Sequence, residues 1–164
     1  MTEKDSIPTF GLTHVAIAVS SPERSFRFYE QLLGARLLGD LEGREGEDLS
    51  GEDWIEFGTA GAQDVLVLMR ADGPVTGDTG QLAHFGFRLQ AEVDSEVVAA
   101  AVEAAGGTVT SKGRFPGGGP FVFATDPDGY EIELWYETQA EWRSDSGDAS
   151  KPFDEGEFAI SPRD

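Results

Sequence analysis

The chain reads the same way twice, and that repeat constrains its fold more than any other feature. Leu12 to Val19 is a short apolar run of strand length. Ser20, Pro22 and Glu23 follow as a capping box with proline in the first turn, which starts a helix. Phe26, Tyr29 and Leu33 recur on one face of that helix until Gly34 stops it. Strand-like runs come next at 35–41, 54–57 and 65–70, with an exposed Gly- and Glu-rich loop over 42–53. The second half repeats the order with a strand over 82–89. Its helix is capped by Asp94, carries Val97, Val98, Ala101, Val102 and Ala105, and closes at Gly106 and Gly107. Strands over 108–115, 121–124 and 130–136 complete it, the last two joined by a turn at Asp126, Pro127, Asp128 and Gly129. The expected architecture is α+β, with βαβββ modules over 10–70 and 82–137 and a linker over 71–81. An N-terminal arm over 1–9 and an acidic tail over 138–164 flank them.

Composition narrows the function. With 31 acidic residues against 12 basic ones the net charge is −19, which is unsuited to nucleic acid or an anionic membrane surface. No apolar run is long enough to span a bilayer, and the polar start with Pro8 does not read as a signal peptide. Cysteine is absent, which excludes disulfides, thiolate metal sites and a cysteine nucleophile. The expectation is a cytoplasmic protein acting on a small molecule. A surface this acidic also suits a salt-tolerant cytoplasm. In the tail, Trp142, Phe153, Phe158 and Ile160 are spaced to anchor it across the domain or a neighbouring subunit.

The only two histidines, His14 and His84, are each the third residue of the opening strand of their half. Repeat symmetry would carry their imidazoles to equivalent places around one cleft. The alternative is a pair of core histidines satisfied by backbone carbonyls. In the last strand, alternation puts Ile132, Leu134 and Tyr136 on one face and Glu131, Glu133 and Trp135 on the other. A carboxylate in mid-strand is costly to desolvate unless a cation or donors meet it. Two neutral imidazoles and one carboxylate form a set suited to a divalent metal with open positions.

These features together resemble the vicinal oxygen chelate superfamily, which includes glyoxalases, bleomycin-resistance proteins and extradiol dioxygenases. The resemblance is carried by Leu12 to Ile17 around His14, by Ser25 to Tyr29 and Leu32 to Gly34, by Leu82 to His84, and by Asp126 to Leu134. It implies paired modules whose sheets curl around one metal site, with His14, His84 and Glu133 as ligands, and a homodimer. The departures bear on the subclass. A glyoxalase I-like fourth ligand would fall on Val67, unless Glu56 on the adjacent strand reaches in. Phe123 stands where an extradiol dioxygenase keeps a tyrosine, and Ala16 where a fosfomycin-resistance transferase keeps a hydroxyl.

The three-ligand count favours a dioxygenase-like centre holding Fe2+ or Mn2+, with Zn2+ or Ni2+ as the metals of a lyase or isomerase. Glu56, sharing a face with Trp54, is the candidate general base. Arg88, Lys112 and Arg114 are candidate cations for a substrate carboxylate or oxyanion, and Gly117 to Gly119 a candidate flap or a plain hairpin loop. A metal-free drug-binding protein of the bleomycin-resistance type is the alternative to an enzyme.

Overall fold

The computed structural model describes residues 12–60, 64–75, 77, 82–116 and 118–136. The expected arm and tail lie outside the described residues, as do most of 76–81 and Gly117. The first half forms β1 (Val15–Val19), α1 (Pro22–Leu33), β2 (Arg36–Leu37), a short 3-10 turn, β3 (Trp54–Gly58) and β4 (Leu66–Arg70). The second forms β5 (Phe85–Arg88), α2 (Ser95–Ala104), β6 (Thr108–Arg114), β7 (Pro120–Thr125) and β8 (Glu131–Trp135). Each half makes one four-stranded sheet, ordered β1-β4-β3-β2 and β5-β8-β7-β6. In each, the first strand runs parallel to the last and the remaining pairs are antiparallel. The repeat in the sequence is therefore a repeat in topology.

Local chemistry explains the element ends. Ser21, not Ser20, caps α1 by accepting from the Arg24 amide at 3.3 Å, and Pro22 occupies the first turn where no donor is needed. Gly34 ends the helix at φ +64°, and its amide returns to the Glu30 carbonyl. The strand expected over 35–41 is cut to two residues because the 3-10 turn Gly39–Leu41 follows at once. In α2 the buried residues are Val98, Ala99 and Val102, while Val97 is 60% exposed. The segment 42–53 is without helix or strand, but it is more than a solvated loop. Leu49 is fully buried, its amide donates to Glu23 Oε1 at 3.0 Å, and Arg27 donates to the Glu45 and Glu47 carbonyls.

A single core serves both halves. It joins Ile17, Val19, Ile55, Phe57 and Leu68 of the first sheet to Val122, Ala124, Ile132 and Leu134 of the second, with Phe26, Phe28 and Tyr29 of α1 and Val102 of α2. Tyr29 stacks on Phe57 of the first sheet at 5.0 Å and lies 6.1 Å from Phe87 of the second. Gln31 of α1 donates to the Ala104 carbonyl of α2, and the Phe28 ring fills the space a Cβ at Gly107 would need. Both sheets thus turn one face to a common interior, and their other faces point away from it.

Candidate metal centre

Alternation and register decide what those outer faces carry. On the first sheet Ala16, Val67 and Glu56 form one row across β1, β4 and β3. On the second, Gly86, Glu133 and Phe123 form the matching row across β5, β8 and β7. His14 stands two residues before Ala16 and His84 two before Gly86, so the two histidines occupy equivalent places. Both side chains are exposed on the outer faces, which excludes a pair of core histidines. The same equivalence puts Val67 where the second half has Glu133, and it brings Glu56 to the place of Phe123.

The second sheet assembles two of the three expected ligands. His84 Nε2 lies 3.4 Å from Glu133 Oε2, and the Glu133 side chain is only 15% exposed. The imidazole stands edge-on to the Phe123 ring, 5.3 Å between centroids, which limits its rotation. One nitrogen just before β5 and one carboxylate oxygen on the adjacent β8, 3.4 Å apart, suit a hard-to-borderline divalent cation. The third expected ligand is elsewhere. His14 is exposed, and its Nδ1 is 3.0 Å from Thr13 Oγ1. Among the described residues no three of His, Asp and Glu come together as a metal site. The reason is topological: β1 and β5 are edge strands of separate sheets, and the shared core lies behind both. The expected convergence of the two imidazoles does not occur within one chain.

Glu56 does not reach toward Val67. Its Oε1 accepts from the Trp54 indole N–H at 2.9 Å, and a Cβ built on Gly39, just past β2, would sit 3.4 Å from Oε2. The carboxylate therefore leans to the β2 side of β3, away from β1. Of the candidate cations, Lys112 is bound to Glu96 at 2.6 Å and Arg114 to Glu92 at 2.7 Å. Arg88 shares the outer face with His84 and is registered beside Trp135. At the candidate flap, Phe115 and Gly119 close a hairpin through a 3.1 Å backbone bond.

Sequence reasoning missed a polar network that ties the halves together behind the site. Asp128 accepts from the Ser20 amide at 2.9 Å, Ser25 Oγ at 2.6 Å, Arg24 at 2.8 Å and the Ser20 hydroxyl. Asp126 accepts from Tyr29 Oη at 3.0 Å and from the amides of Asp128 and Tyr130 at 2.9 Å each. Tyr130 Oη donates to the Ala18 carbonyl at 2.8 Å. Burial pushes Asp126 above the ordinary carboxylate range against the pull of these donors. Burial also acts to raise Asp128, but the bonds from Ser20, Ser25 and Arg24 outweigh it and hold the carboxyl below that range. Burial, then the nearby Asp126 charge, raises Tyr29 well above the usual phenol value. The signal was present as two aspartates flanking Pro127 and two serines flanking the helix start, but nothing in one sequence pairs residues a hundred positions apart.

The family described as "Glyoxalase/Bleomycin resistance protein/Dioxygenase superfamily" matches residues 11–134. A Vibrio parahaemolyticus protein named "Probable lactoylglutathione lyase" is 31% identical over 131 residues, covering 79% of this chain and 92% of that one. Among solved structures, the fosfomycin resistance protein FosX from Mesorhizobium loti superposes with a TM-score of 0.60 at 21% identity, over 84% of this chain and 99% of that one. A variant of FosX from Listeria monocytogenes, solved with Mn(II) and 1S,2S-dihydroxypropylphosphonic acid, gives 0.59 at 17% identity over 85% and 99%. These structural likenesses establish a shared fold. No helix among the described residues is long and apolar enough to cross a membrane.

Proposed function

This chain belongs to the glyoxalase/bleomycin resistance protein/dioxygenase superfamily, and from that membership we propose a metal-dependent enzyme of lyase or isomerase type acting on a small vicinal-oxygen substrate. The observation that carries the reading is the His84–Glu133 pair, 3.4 Å apart on the outer face of one sheet, with His14 at the equivalent place on the other. The ligand set is completed between two copies: His84 and Glu133 come from one chain and His14 from a second, which makes the working unit a homodimer. An exposed His14 whose Nδ1 is engaged by Thr13 supports that arrangement.

A divalent ion held there supplies Lewis acidity toward two adjacent oxygens of a substrate. Mn2+ is the favoured ion, supported by the Mn(II) in the FosX variant, a protein of the same fold. The chain's own residues do the rest. Glu56 stands on the same outer face as His14 and enters the shared cleft with it. Its carboxylate, fixed by the Trp54 N–H, is the base that takes and returns a proton on the substrate carbon or water. The name of the Vibrio relative favours this non-redox chemistry. Small-molecule turnover in a cytoplasmic setting is part of the same reading.

A second reading, a dioxygenase-like centre with Fe2+, is favoured by Val67. A three-ligand set leaves positions open for dioxygen as well as substrate. Elemental analysis of protein purified without added metal separates the readings. About one Mn, Zn or Ni per chain, lost in Glu133→Ala and without oxygen uptake on vicinal diols, supports the lyase or isomerase. Iron with diol-dependent oxygen uptake supports the dioxygenase. No metal after reconstitution returns the weight to a drug-binding protein.

A further inference from the structure

The outer face of the second sheet is paved with aromatic rings around the His84–Glu133 pair, and we infer that the substrate carries an uncharged aryl arm beside its vicinal oxygens. The inference rests on the metal-centre reading above and concerns the part of the substrate that reading leaves open. Register puts Phe123 beside Glu133 and Phe121 beside Trp135 one repeat further along the same face. The Phe123 ring meets His84 edge-on, Phe121 lies 5.7 Å from Phe123, and Phe115 lies 4.6 Å from Phe121. The rings therefore run without a break from the candidate ligand to Phe115 at the hairpin, itself exposed.

Two glycines keep this floor low. A Cβ at Gly86 would stand 3.4 Å from Trp135 Nε1 and 3.5 Å from Glu133 Oε2, and one at Gly113 would stand 3.2 Å from the Phe121 ring. A larger residue at either place would rise into the space above the rings. Half-exposed rings gain from a flat apolar cover through both the area buried and the ring contacts.

The charges around the floor point the same way. The β6 cations Lys112 and Arg114 register with Val122 and Pro120 on the opposite face of the sheet, where they meet Glu96 and Glu92, and the carboxylates on the floor's own face are Glu131 and Glu133. A phosphonate or carboxylate arm laid along β7 would meet rings and like charge. Arg88 lies on the edge strand at the end of the Trp135 row, on the same face as the rings, so an anionic arm would have to reach it there. It defines the opposite outcome of the test.

The test is calorimetric titration of the manganese-loaded full chain with three probes: 1-phenylethane-1,2-diol, propane-1,2-diol and 1,2-dihydroxypropylphosphonic acid. The phenyl diol is expected to bind about tenfold more tightly than propanediol, since one aryl group adds both buried area and ring contacts. Phe121→Leu, a tolerated apolar exchange, is expected to shrink that ratio to about threefold or less. Equal binding of the two diols overturns the inference. So does tightest binding of the phosphonate, above all if Arg88→Gln abolishes it. A Phe121→Leu protein whose dimer dissociates more readily, with the diol ratio intact, would make the floor a subunit contact and also overturn it. Repeating the titration on metal-free chain keeps the two readings separate. If manganese uptake fails, a retained phenyl preference still supports the aryl arm, and its loss contradicts it.

Discussion

Val67 and Glu133 hold the same place in the two halves of the chain. Each lies on the strand paired in parallel with a strand that a histidine immediately precedes, opposite the residue two past the histidine, Ala16 in one case and Gly86 in the other. One half places a carboxylate there and the other a buried isopropyl group, 1% exposed. The asymmetry is what reduces the expected ligand set to three.

Restoring the symmetry should strengthen the centre. Val67→Glu adds a fourth ligand on the His14 side and is expected to tighten Zn2+ or Ni2+ binding by about tenfold or more. Without metal the same change buries a carboxylate and should cost about 1–3 kcal/mol of stability. Competitive chelator titration and urea unfolding, each with and without metal, check the two signs. A variant equally weak for metal and equally stable would detach Val67 from the site.

Asp128 should be the most costly carboxylate to remove outside the proposed metal centre. Asp128→Ala leaves the Ser20 amide and the Ser25 and Arg24 donors without their acceptor, an expected loss of about 2–4 kcal/mol in urea unfolding.

The two aspartates of the turn should act oppositely with pH. Asp128 titrates lower in the folded chain than unfolded, so the stability it contributes is present above about pH 3.9 and is lost as pH falls through its folded value. Asp126 titrates higher when folded, so its ionisation costs stability as pH rises from about 3.9 through its folded value. Unfolding between pH 2 and 6 should therefore show a steeper acid loss in Asp126→Asn than in Asp128→Asn, about 2.3RT per bound proton per pH unit setting the scale. Equal slopes would contradict the assignment.

Gly77 touches the same turn. Its φ is +66°, and a Cβ there would fall 2.1 Å from the Gly129 carbonyl carbon. Gly77→Ala is expected to destabilise by about 2–4 kcal/mol, the sum of a left-handed penalty and overpacking against backbone. Thermal unfolding measures it, with Gly73→Ala, where a Cβ meets nothing, as the neutral control.

How much of this was legible depends on whether the signal was local. The strand–helix–three-strand order, the Gly34 stop, the Asp94 cap and the alternation around Glu133 each follow from neighbours a few residues apart, and the structure has them. The Val67–Glu133 equivalence was also legible, because a repeat carries register with it. What alternation cannot give is which outer face meets which. Whether two sheets close on each other or back onto one core is decided by contacts such as Tyr29 with Phe57 and Phe87, and these link distant segments. The shift of the cap from Ser20 to Ser21 has a similar cause: Ser20 is drawn away by Asp128, 108 residues on.

If the metal centre is completed between two copies, a mixing experiment shows it directly. His14→Ala and Glu133→Ala are prepared separately, each expected to hold little manganese, then unfolded, mixed in equal amounts and refolded with Mn2+. If His14 of one copy joins His84 and Glu133 of another, mixed dimers carry one intact site of two, and metal content should return to about a quarter of the native level. No recovery on mixing, with both variants separately metal-free, would contradict a shared centre. Native metal content in either variant alone would contradict that residue's place in it.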